Sequence, residues 1–364
     1  MILLNPGPVN LSPGVRGALA GPDLCHREAE FSALQDAIRA GLLEVYGLPP
    51  QQWAPVLIAG SGTCAVEAML TSLVPQDGTL VVIENGVYGE RMTRMASVHG
   101  MTCRRVPHAW GATVELDVVK RVLEDGAGVT HVAVVHHETT TGRLNDLERL
   151  GALCRAHGAQ LLVDGVSSFA AEALEFDEWN IAACAGTANK CLHGAPGVSF
   201  VNARRDALFS PKVSARTLYL DLANACREQD RQSTAFTQPV HVMHALAKAL
   251  EEFRNEGGWR SRHAQYARLA RTVRTGLQQL GVEALMPPEE SSVVLNAYRV
   301  PDTIGYDALH DGLKERGFVI YAGQGQYRDN LFRISTMGAI TSADIERLLT
   351  AFGELLQPAG GLSR

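Results

Sequence analysis

Residues 160–197 read QLLVDGVSSFAAEALEFDEWNIAACAGTANKCLHGAPG. The segment holds two short apolar runs, 160–164 and 181–186, and small residues follow each of them. Runs of this length and composition predict strands that are buried on both faces. Asp164 ends the first run, and Lys190 follows the second. The carboxyl ends of parallel strands form the edge at which α/β proteins bind their ligands, so both residues are candidates for a site there.

Similar apolar runs alternate with helical patterns through the first two thirds of the chain. The strand-like runs are residues 56–59, 80–83, 131–135 and 197–202. The helical patterns are residues 64–73, 88–99, 115–125 and 147–157. Apolar strands separated by helices predict an α/β fold with a mostly parallel central sheet. We place this large domain at residues 14–245.

The pattern changes after Pro239. Long helical patterns at 242–256 and 259–280 precede shorter elements of both kinds. These are strands at 291–298, 317–321 and 331–335 and helices at 306–316 and 342–356, the last with Ser342 as its expected N-cap. The mixture predicts a smaller C-terminal α+β domain, which we place at residues 246–364. Residues 1–13 are Pro-rich without a periodic pattern, and predict an N-terminal arm that lies across another surface.

Composition and charge exclude several classes of protein. The chain has 364 residues, and 33 Lys and Arg against 39 Asp and Glu give a net charge of -6, which argues against a general nucleic-acid-binding surface. Its apolar stretches are far shorter than a membrane span, and its first residues do not resemble a signal peptide. Seven scattered cysteines without a CxxC pair predict reduced thiols in a cytoplasmic protein. No metal site is predicted, because adjacent side chains of the His136-His137-Glu138 run would point to opposite faces of a strand.

Three features combine into one candidate site. Gly60-Ser61-Gly62-Thr63 lies between a predicted strand and a helix, where backbone N–H groups and the helix dipole favour an anion. Taken alone, this motif is most often an ordinary turn, Asp164 a turn or cap residue, and Lys190 a solvated lysine. Together they suit pyridoxal 5′-phosphate (PLP), because the phosphate cradle, the carboxylate and the amine would each address a different atom of that cofactor.

Seven collinear motifs carry a resemblance to a known family. They are LNPGP at 4–8, GSGTCAVEA at 60–68, NGVYGER at 85–91, HHETTTG at 136–142, DGVSSF at 164–169, ANKC at 188–191 and GAPG at 194–197. Over nearly its whole length the chain resembles the class-V, fold-type I aminotransferases. The fourth, fifth and sixth motifs are most similar to the branch that uses 2-aminoethylphosphonate and pyruvate.

The resemblance implies a role for each candidate at the cofactor. The cofactor-binding residues that it implies are Ser61, Gly62, Thr63, Tyr88, Thr139, Thr140, Asp164, Lys190 and Thr237. Lys190 and Asp164 would be catalytic: the lysine forms the Schiff base and moves protons, and the aspartate pairs with the ring nitrogen. The start of the helix would take the phosphate, Tyr88 would stack on the ring, and Thr140, with Thr139, would lie near the ring hydroxyl.

Two further residues are implied on the substrate side. Gly7 belongs to the N-terminal motif, and Arg333 stands where the family binds the acid group of its substrate. A planar guanidinium suits both a phosphonate and a carboxylate, so this arginine does not decide between them.

The chain departs from the family in two places. The segment His26-Arg27-Glu28 is closer to the alanine–glyoxylate enzymes than to the phosphonate branch. Val240 stands where the family has a threonine that reaches the phosphate from the neighbouring subunit. Thr237 and His241 are candidates to replace that contact.

The resemblance implies an aminotransferase that converts 2-aminoethylphosphonate and pyruvate, an amine and a 2-oxo acid, to phosphonoacetaldehyde and alanine. A homodimer is expected, because such enzymes complete each site with the second subunit. Two alternatives stay open: a PLP-dependent lyase acting on 1-hydroxy-2-aminoethylphosphonate, and an alanine–glyoxylate or serine–pyruvate aminotransferase. A non-enzymatic protein of the same fold is disfavoured, because Asp164 and Lys190 are both retained.

Overall fold

The computed structural model describes residues 1–126 and 128–356. Its strands are β1 (Ile2–Leu3), β2 (Trp53–Ala59), β3 (Thr79–Glu84), β4 (Cys103–Pro107), β5 (Val129–Val135), β6 (His137–Glu138), β7 (Arg143–Leu144), β8 (Gln160–Asp164), β9 (Ile181–Thr187), β10 (Val198–Arg204), β11 (Leu295–Arg299), β12 (Phe318–Val319), β13 (Tyr321–Ala322) and β14 (Leu331–Ser335). Its α-helices are α1 (Pro13–Ala18), α2 (Ala29–Glu44), α3 (Gly62–Leu73), α4 (Val87–Val98), α5 (Leu116–Glu124), α6 (Leu147–Ala156), α7 (Arg205–Leu208), α8 (Leu222–Asp230), α9 (Val240–Asn255), α10 (Gly258–Gln279), α11 (Tyr306–Glu315) and α12 (Ser342–Leu356). Among these described helices, none combines the length and the apolar character that crossing a bilayer requires.

The central sheet has seven strands in the order β2-β10-β9-β8-β5-β3-β4. Strand β10 pairs antiparallel with β2 and β9, and the other neighbouring pairs are parallel. The predicted α/β fold with a mostly parallel sheet is therefore confirmed. Its inner strands are runs of Val, Leu, Ile and Ala because side chains on both faces are buried.

Helices cover both faces of this sheet. Leu161 and Val163 of β8 face one apolar cluster, which includes Phe31 of α2. Leu162, between them, faces the opposite cluster, which includes Met69 of α3. Successive side chains of a strand point to opposite faces, so a continuous apolar run supplies both clusters at once.

A second, smaller sheet has the order β11-β14-β13 and packs with α10, α11 and α12 around its own apolar cluster. The N-terminal arm joins this part of the molecule. Its strand β1 pairs parallel with β12, and Leu4 is fully buried in the same cluster. The arm then reaches the large sheet, where Gly7 lies against the side chain of Lys190.

Helix α9 crosses the boundary that the sequence predicts between the two domains. The predicted boundary between residues 245 and 246 falls inside this continuous helix. The helix packs against α1 and α2, and its Leu250 and Phe253 belong to an apolar cluster of the large sheet. Two glycines with positive φ, Gly257 (98°) and Gly258 (74°), then lie at the junction where α9 has ended and α10 begins. We therefore propose that the large domain ends at these glycines.

Three of the local differences from the sequence prediction have a clear physical cause. The strand expected at 317–321 is interrupted, because β12 pairs with the N-terminal arm whereas β13 pairs with β14. The N-cap of α12 is Thr341 rather than Ser342, since the Thr341 hydroxyl accepts from the backbone N–H of Asp344 at 3.2 Å. Strand β4 was not predicted, because it is an edge strand and two exposed arginines interrupt its apolar pattern.

Candidate active site

Three chain segments meet at one edge of the central sheet. Strands β2, β8 and β9 run in the same direction, so the turns that follow them lie together. A Cβ added at Gly62 would lie 2.6 Å from Val166 Cγ1 and 3.4 Å from Thr187 Cβ. The start of α3 thus packs closely against the segments that follow β8 and β9, where a glycine leaves the necessary room.

The start of α3 has the properties of an anion site. Ser61 is the N-cap residue, and within the described residues its side chain makes no capping hydrogen bond. Ser61 and Thr63 are both exposed, and the Thr63 hydroxyl accepts from Arg91 Nη1 at 3.3 Å. The first N–H groups of a helix lack partners within it and carry partial positive charge, so they suit a phosphate.

Asp164 is a buried carboxylate at the end of β8. One of its oxygens accepts from the backbone N–H of Val166 at 3.0 Å. Burial raises the pKa of Asp164 to about 6, although that hydrogen bond and the charges of Arg91 and Lys190 oppose the rise. A carboxylate in this setting is ionised at neutral pH and is stabilised further by a cationic partner, such as a protonated ring nitrogen.

Lys190 lies under the N-terminal arm. A Cβ added at Gly7 would lie 2.7 Å from Lys190 Cδ and 3.0 Å from its Nζ, and the φ of Gly7 is 103°. Burial lowers the pKa of the Lys190 amine to about 8, and the guanidinium groups of Arg333 and Arg91 act in the same direction. About a tenth of this amine is therefore unprotonated at pH 7, far more than for an ordinary lysine, and this form can attack a carbonyl.

Tyr88 and Thr140 form a wall beside this edge. Tyr88 lies in the first turn of α4, and the Arg91 guanidinium packs 4.6 Å from the centre of its ring. The Thr140 hydroxyl accepts from the backbone N–H of Val87 at 3.1 Å and donates to Glu138 at 2.6 Å. The side chain of Tyr88 is partly buried and also packs against an apolar cluster of the large sheet.

Arg333 supplies a buried positive charge from the small sheet. Its Nε donates to the carbonyl of Ala322 at 2.9 Å and its Nη1 to the carbonyl of Thr139 at 3.0 Å. Its Nη2 is buried and has no hydrogen-bond partner among the described residues. Burial lowers the pKa of the guanidinium, and a buried cation with unpaired N–H groups is costly, so the site favours an anionic ligand.

For three of the predicted residues, the structure shows no side-chain hydrogen bond to the other residues of the candidate site, within the part of the chain that it describes. Thr139 contributes its backbone carbonyl to Arg333. Thr237 is exposed, and nothing in the described structure bonds its side chain to the start of α3. His241, a candidate substitute for the threonine absent at residue 240, is instead 3.2 Å from Asp23.

Three residues of the site were missed by sequence reasoning. Arg91 and Glu138 lie within quoted motifs, but no role was assigned to either. Gln324 lies in the loop before β14, where its Oε1 is 3.4 Å from Arg333 Nη1 and 3.5 Å from Thr140 Oγ1. Arg91 and Glu138 are charged residues inside motifs made mostly of small residues, and this could have marked them as candidates. No local pattern marks Gln324.

Comparisons with known proteins find aminotransferases of similar sequence and fold. The family model for class-V aminotransferases matches residues 19–348. The 2-aminoethylphosphonate–pyruvate transaminase of Syntrophobacter fumaroxidans is 36% identical over 363 residues, which cover 99% of this chain and 97% of that protein. The crystal structure of alanine–glyoxylate aminotransferase from Nostoc sp. has a TM-score of 0.91 at 26% identity and covers 98% of this chain and 95% of that chain. The subgroup IV aspartate aminotransferase from Thermus thermophilus has a TM-score of 0.88 at 27% identity, with 98% and 99% coverage.

Proposed function

The chain belongs to the class-V aminotransferase family, and we propose that it transfers the amino group of 2-aminoethylphosphonate to pyruvate, which gives phosphonoacetaldehyde and alanine. The relative from Syntrophobacter fumaroxidans supports this substrate pair, because it resembles the chain along almost its whole length. The structural observation that carries the proposal is the buried guanidinium of Arg333, whose Nη2 lacks a partner among the described residues. The positive charge of Arg333 contributes to the lowered pKa of the Lys190 amine, so the two groups lie near one another. An amine substrate with an acidic group can therefore be held beside the reacting amine.

The cofactor is PLP, and the residues at the sheet edge fit its separate polar groups. Ser61, Gly62 and Thr63 would hold the phosphate, because the start of α3 presents unpaired N–H groups. Asp164 would face the ring nitrogen, and Lys190 would meet the aldehyde. When bound, PLP supplies an aldehyde that condenses with amines and a ring that withdraws electrons from the substrate.

Asp164 would keep the ring nitrogen protonated. Its pKa of about 6 leaves it ionised near neutral pH, and a positive partner favours the ionised form further. The backbone N–H of Val166 holds one carboxylate oxygen, which fixes the direction of the side chain.

Lys190 would act as both nucleophile and proton carrier. With a pKa of about 8, its amine can take a proton from the carbon that bears the substrate nitrogen and return it elsewhere. Gly7 covers the side chain, so the arm would limit the access of water to the amine.

Arg333 and Gln324 would hold the phosphonate. Arg333 donates to two carbonyls, and its free Nη2 can donate to an oxygen of the ligand. The Gln324 side-chain oxygen lies near Arg333 Nη1, so its amide nitrogen is available as a second donor. A tetrahedral anion with three oxygens can use more donors than a carboxylate can.

A second candidate function is the lyase reaction on 1-hydroxy-2-aminoethylphosphonate, which would release ammonia without a 2-oxo acid. The observation that favours it is the neutral amide of Gln324 beside both Arg333 and Thr140. The extra hydroxyl of that substrate is on the carbon that carries phosphorus. A ligand held by Arg333 would therefore present the hydroxyl close to an amide that can both donate and accept.

The test is to incubate the PLP-loaded protein with each amine, with and without pyruvate, and to measure alanine and ammonia. We expect alanine from 2-aminoethylphosphonate only when pyruvate is present. Ammonia from the hydroxylated substrate without pyruvate would support the lyase and contradict the transaminase. A higher rate with alanine and glyoxylate than with 2-aminoethylphosphonate and pyruvate would instead favour a carboxylate substrate.

We further propose that the protein is a cytoplasmic homodimer. Leu218 is 83% exposed and adjoins Tyr219, whose ring packs on Phe236 and whose hydroxyl donates to the carbonyl of Ala59. These apolar groups lie beside the strand that leads into α3, so burial by a second copy would bring the copies together near the site. Sedimentation analysis tests this, and a monomer at micromolar concentration would contradict it.

A further inference from the structure

Glu138 is a buried carboxylate at the site, and the proposed reaction gives it no role. Its side chain is fully buried at the end of β6. One of its oxygens, Oε1, accepts from the Thr140 hydroxyl at 2.6 Å and from the Thr140 backbone N–H at 3.1 Å. The carboxylate therefore holds the hydroxyl and the backbone N–H of Thr140.

The other oxygen, Oε2, serves the beginning of α4. It accepts from the backbone N–H of Tyr88 at 3.3 Å, and the N–H of Gly89 also faces the carboxylate. Gly86, the N-cap residue, has no side chain to cap the helix. A carboxylate from a distant part of the chain thus replaces the usual local cap, where negative charge also stabilises the helix dipole.

We propose that Glu138 is a positioning residue, which fixes the Thr140 hydroxyl and the first turn of α4, with Tyr88, against the cofactor ring. The proposal rests on the proposed placement of PLP between these two residues. Gly86 is part of the same arrangement, since a Cβ there would lie 2.7 Å from Glu138 Oε1.

The hydrogen bonds also determine what Thr140 can offer a ligand. A hydroxyl has one proton to donate and two lone pairs. The proton is used by Glu138, and one lone pair accepts from the backbone N–H of Val87. Thr140 can therefore only accept from the cofactor while Glu138 is ionised.

The charge state of Glu138 controls this arrangement. Burial raises its pKa to about 7, and Asp164 contributes to the rise. The charged groups that face it are Asp164 at the end of β8 and Arg333 on the small sheet. Above about pH 7 the ionised carboxylate accepts all of its hydrogen bonds. Protonation removes one acceptor, so Thr140 and the first turn of α4 are held less firmly.

The experiment compares Glu138→Ala and Glu138→Gln with the wild type. PLP affinity is measured by fluorescence titration of the apoenzyme, and the apparent pKa of the bound cofactor by its visible absorbance. We expect Glu138→Ala to weaken PLP binding about 10-fold or more, the effect of losing a few buried hydrogen bonds. We also expect it to lower the apparent pKa by about one unit, because the Thr140 hydroxyl becomes free to donate and a negative charge is lost.

Glu138→Gln keeps the shape of the side chain and one acceptor oxygen, so it should retain most of the PLP affinity of the wild type. The apparent pKa of its bound cofactor should lie between those of the wild type and Glu138→Ala. The matched control is Glu84→Gln. Glu84 is also buried and also contacts α4, through Thr93, but its other partner is Arg105 on β4. This control should lower thermal stability without changing PLP affinity or the absorbance titration.

If Glu138→Ala reduces the yield of folded protein, Gly86→Ala tests the same point without removing a charge. The added methyl group would displace the Glu138 side chain, and a similar loss of PLP affinity is expected. Affinity within twofold of the wild type and an unchanged apparent pKa in the Glu138 variants would overturn the proposal. Failure of the wild type to bind PLP or to form alanine would instead overturn the proposed function.

Discussion

The cofactor end and the substrate end of the candidate site are assembled differently. At the cofactor end, Asp164 ends β8 and Lys190 follows β9, two neighbouring strands of one sheet. At the substrate end, Arg333 lies within β14 of the small sheet, and Gln324 lies in the loop before that strand. The first set is fixed by one sheet, whereas the second depends on how two sheets pack together.

The two ends also differ in charge compensation. Asp164 and Lys190 influence one another, and burial brings their pKa values to about 6 and about 8. Arg333 bonds to neutral oxygens and forms no salt bridge among the described residues, and the nearby carboxylate of Glu138 opposes only part of the lowering of its pKa by burial. The comparison indicates that the cofactor end is adapted to proton transfer near neutral pH, and that the substrate end is adapted to holding an anion.

The largest expected effect is at the cofactor end. Replacing Lys190 by Ala removes the nucleophile and the proton carrier, so kcat for alanine formation should fall at least about 10³-fold. Lys248→Ala is the control, since Lys248 pairs with Glu251 at the surface, and it should keep wild-type turnover. Unchanged turnover in the Lys190 variant would refute the assignment.

A large effect of another kind is expected at the substrate end. Arg333→Lys keeps the positive charge but loses the planar set of donors, so KM for 2-aminoethylphosphonate should rise about 10- to 100-fold. PLP affinity should stay the same, because Arg333 belongs to the other end. Arg316→Lys, at a surface pair with Glu354, is the control. Loss of PLP affinity with an unchanged KM would place Arg333 at the cofactor end and break the distinction.

The two ends should also respond differently to pH. The rate at which the apoenzyme takes up PLP depends on the unprotonated amine of Lys190, whose pKa is lowered to about 8. This rate should rise about tenfold per pH unit below that value and level off above it. Stopped-flow absorbance measures it. A rate that still rises up to pH 10 would indicate an ordinary lysine and contradict the role of burial.

The smallest expected effect concerns the phosphate. Val240→Thr adds a hydroxyl where the family resemblance implies one, and PLP affinity should increase about two- to fivefold. Val240→Ile, which adds bulk without a hydroxyl, is the control. Equal or weaker affinity of the threonine variant would show that residue 240 does not reach the phosphate.

The cofactor end could be predicted from the sequence because its elements are local. The run 160–164 coincides with β8, and the run 181–186 matches β9 to within one residue, since each is a short apolar stretch followed by small residues. Parallel strands then place the residues after them at one edge, so Asp164 and Lys190 could be brought together without a structure. Their catalytic roles remain predictions that rest on the family resemblance.

The other contacts could not be predicted, because they join distant parts of the chain. Glu138 caps a helix that begins some 50 residues earlier in the chain. Gln324, which lies 3.5 Å from Thr140 Oγ1, is 184 residues further along the chain. The interruption after β12 also depends on pairing with the N-terminal arm, which lies more than 300 residues away in the chain. No local pattern encodes which distant residue each of these groups contacts.

The most direct test of the proposed transamination is an absorbance titration of the PLP-loaded protein with 2-aminoethylphosphonate in the absence of pyruvate. The amino group should pass to the cofactor, so the visible band should be lost in stoichiometric amount and phosphonoacetaldehyde should appear. Adding pyruvate should restore the band and form one equivalent of alanine. A band that 2-aminoethylphosphonate leaves unchanged, or that pyruvate cannot restore, would contradict the proposal.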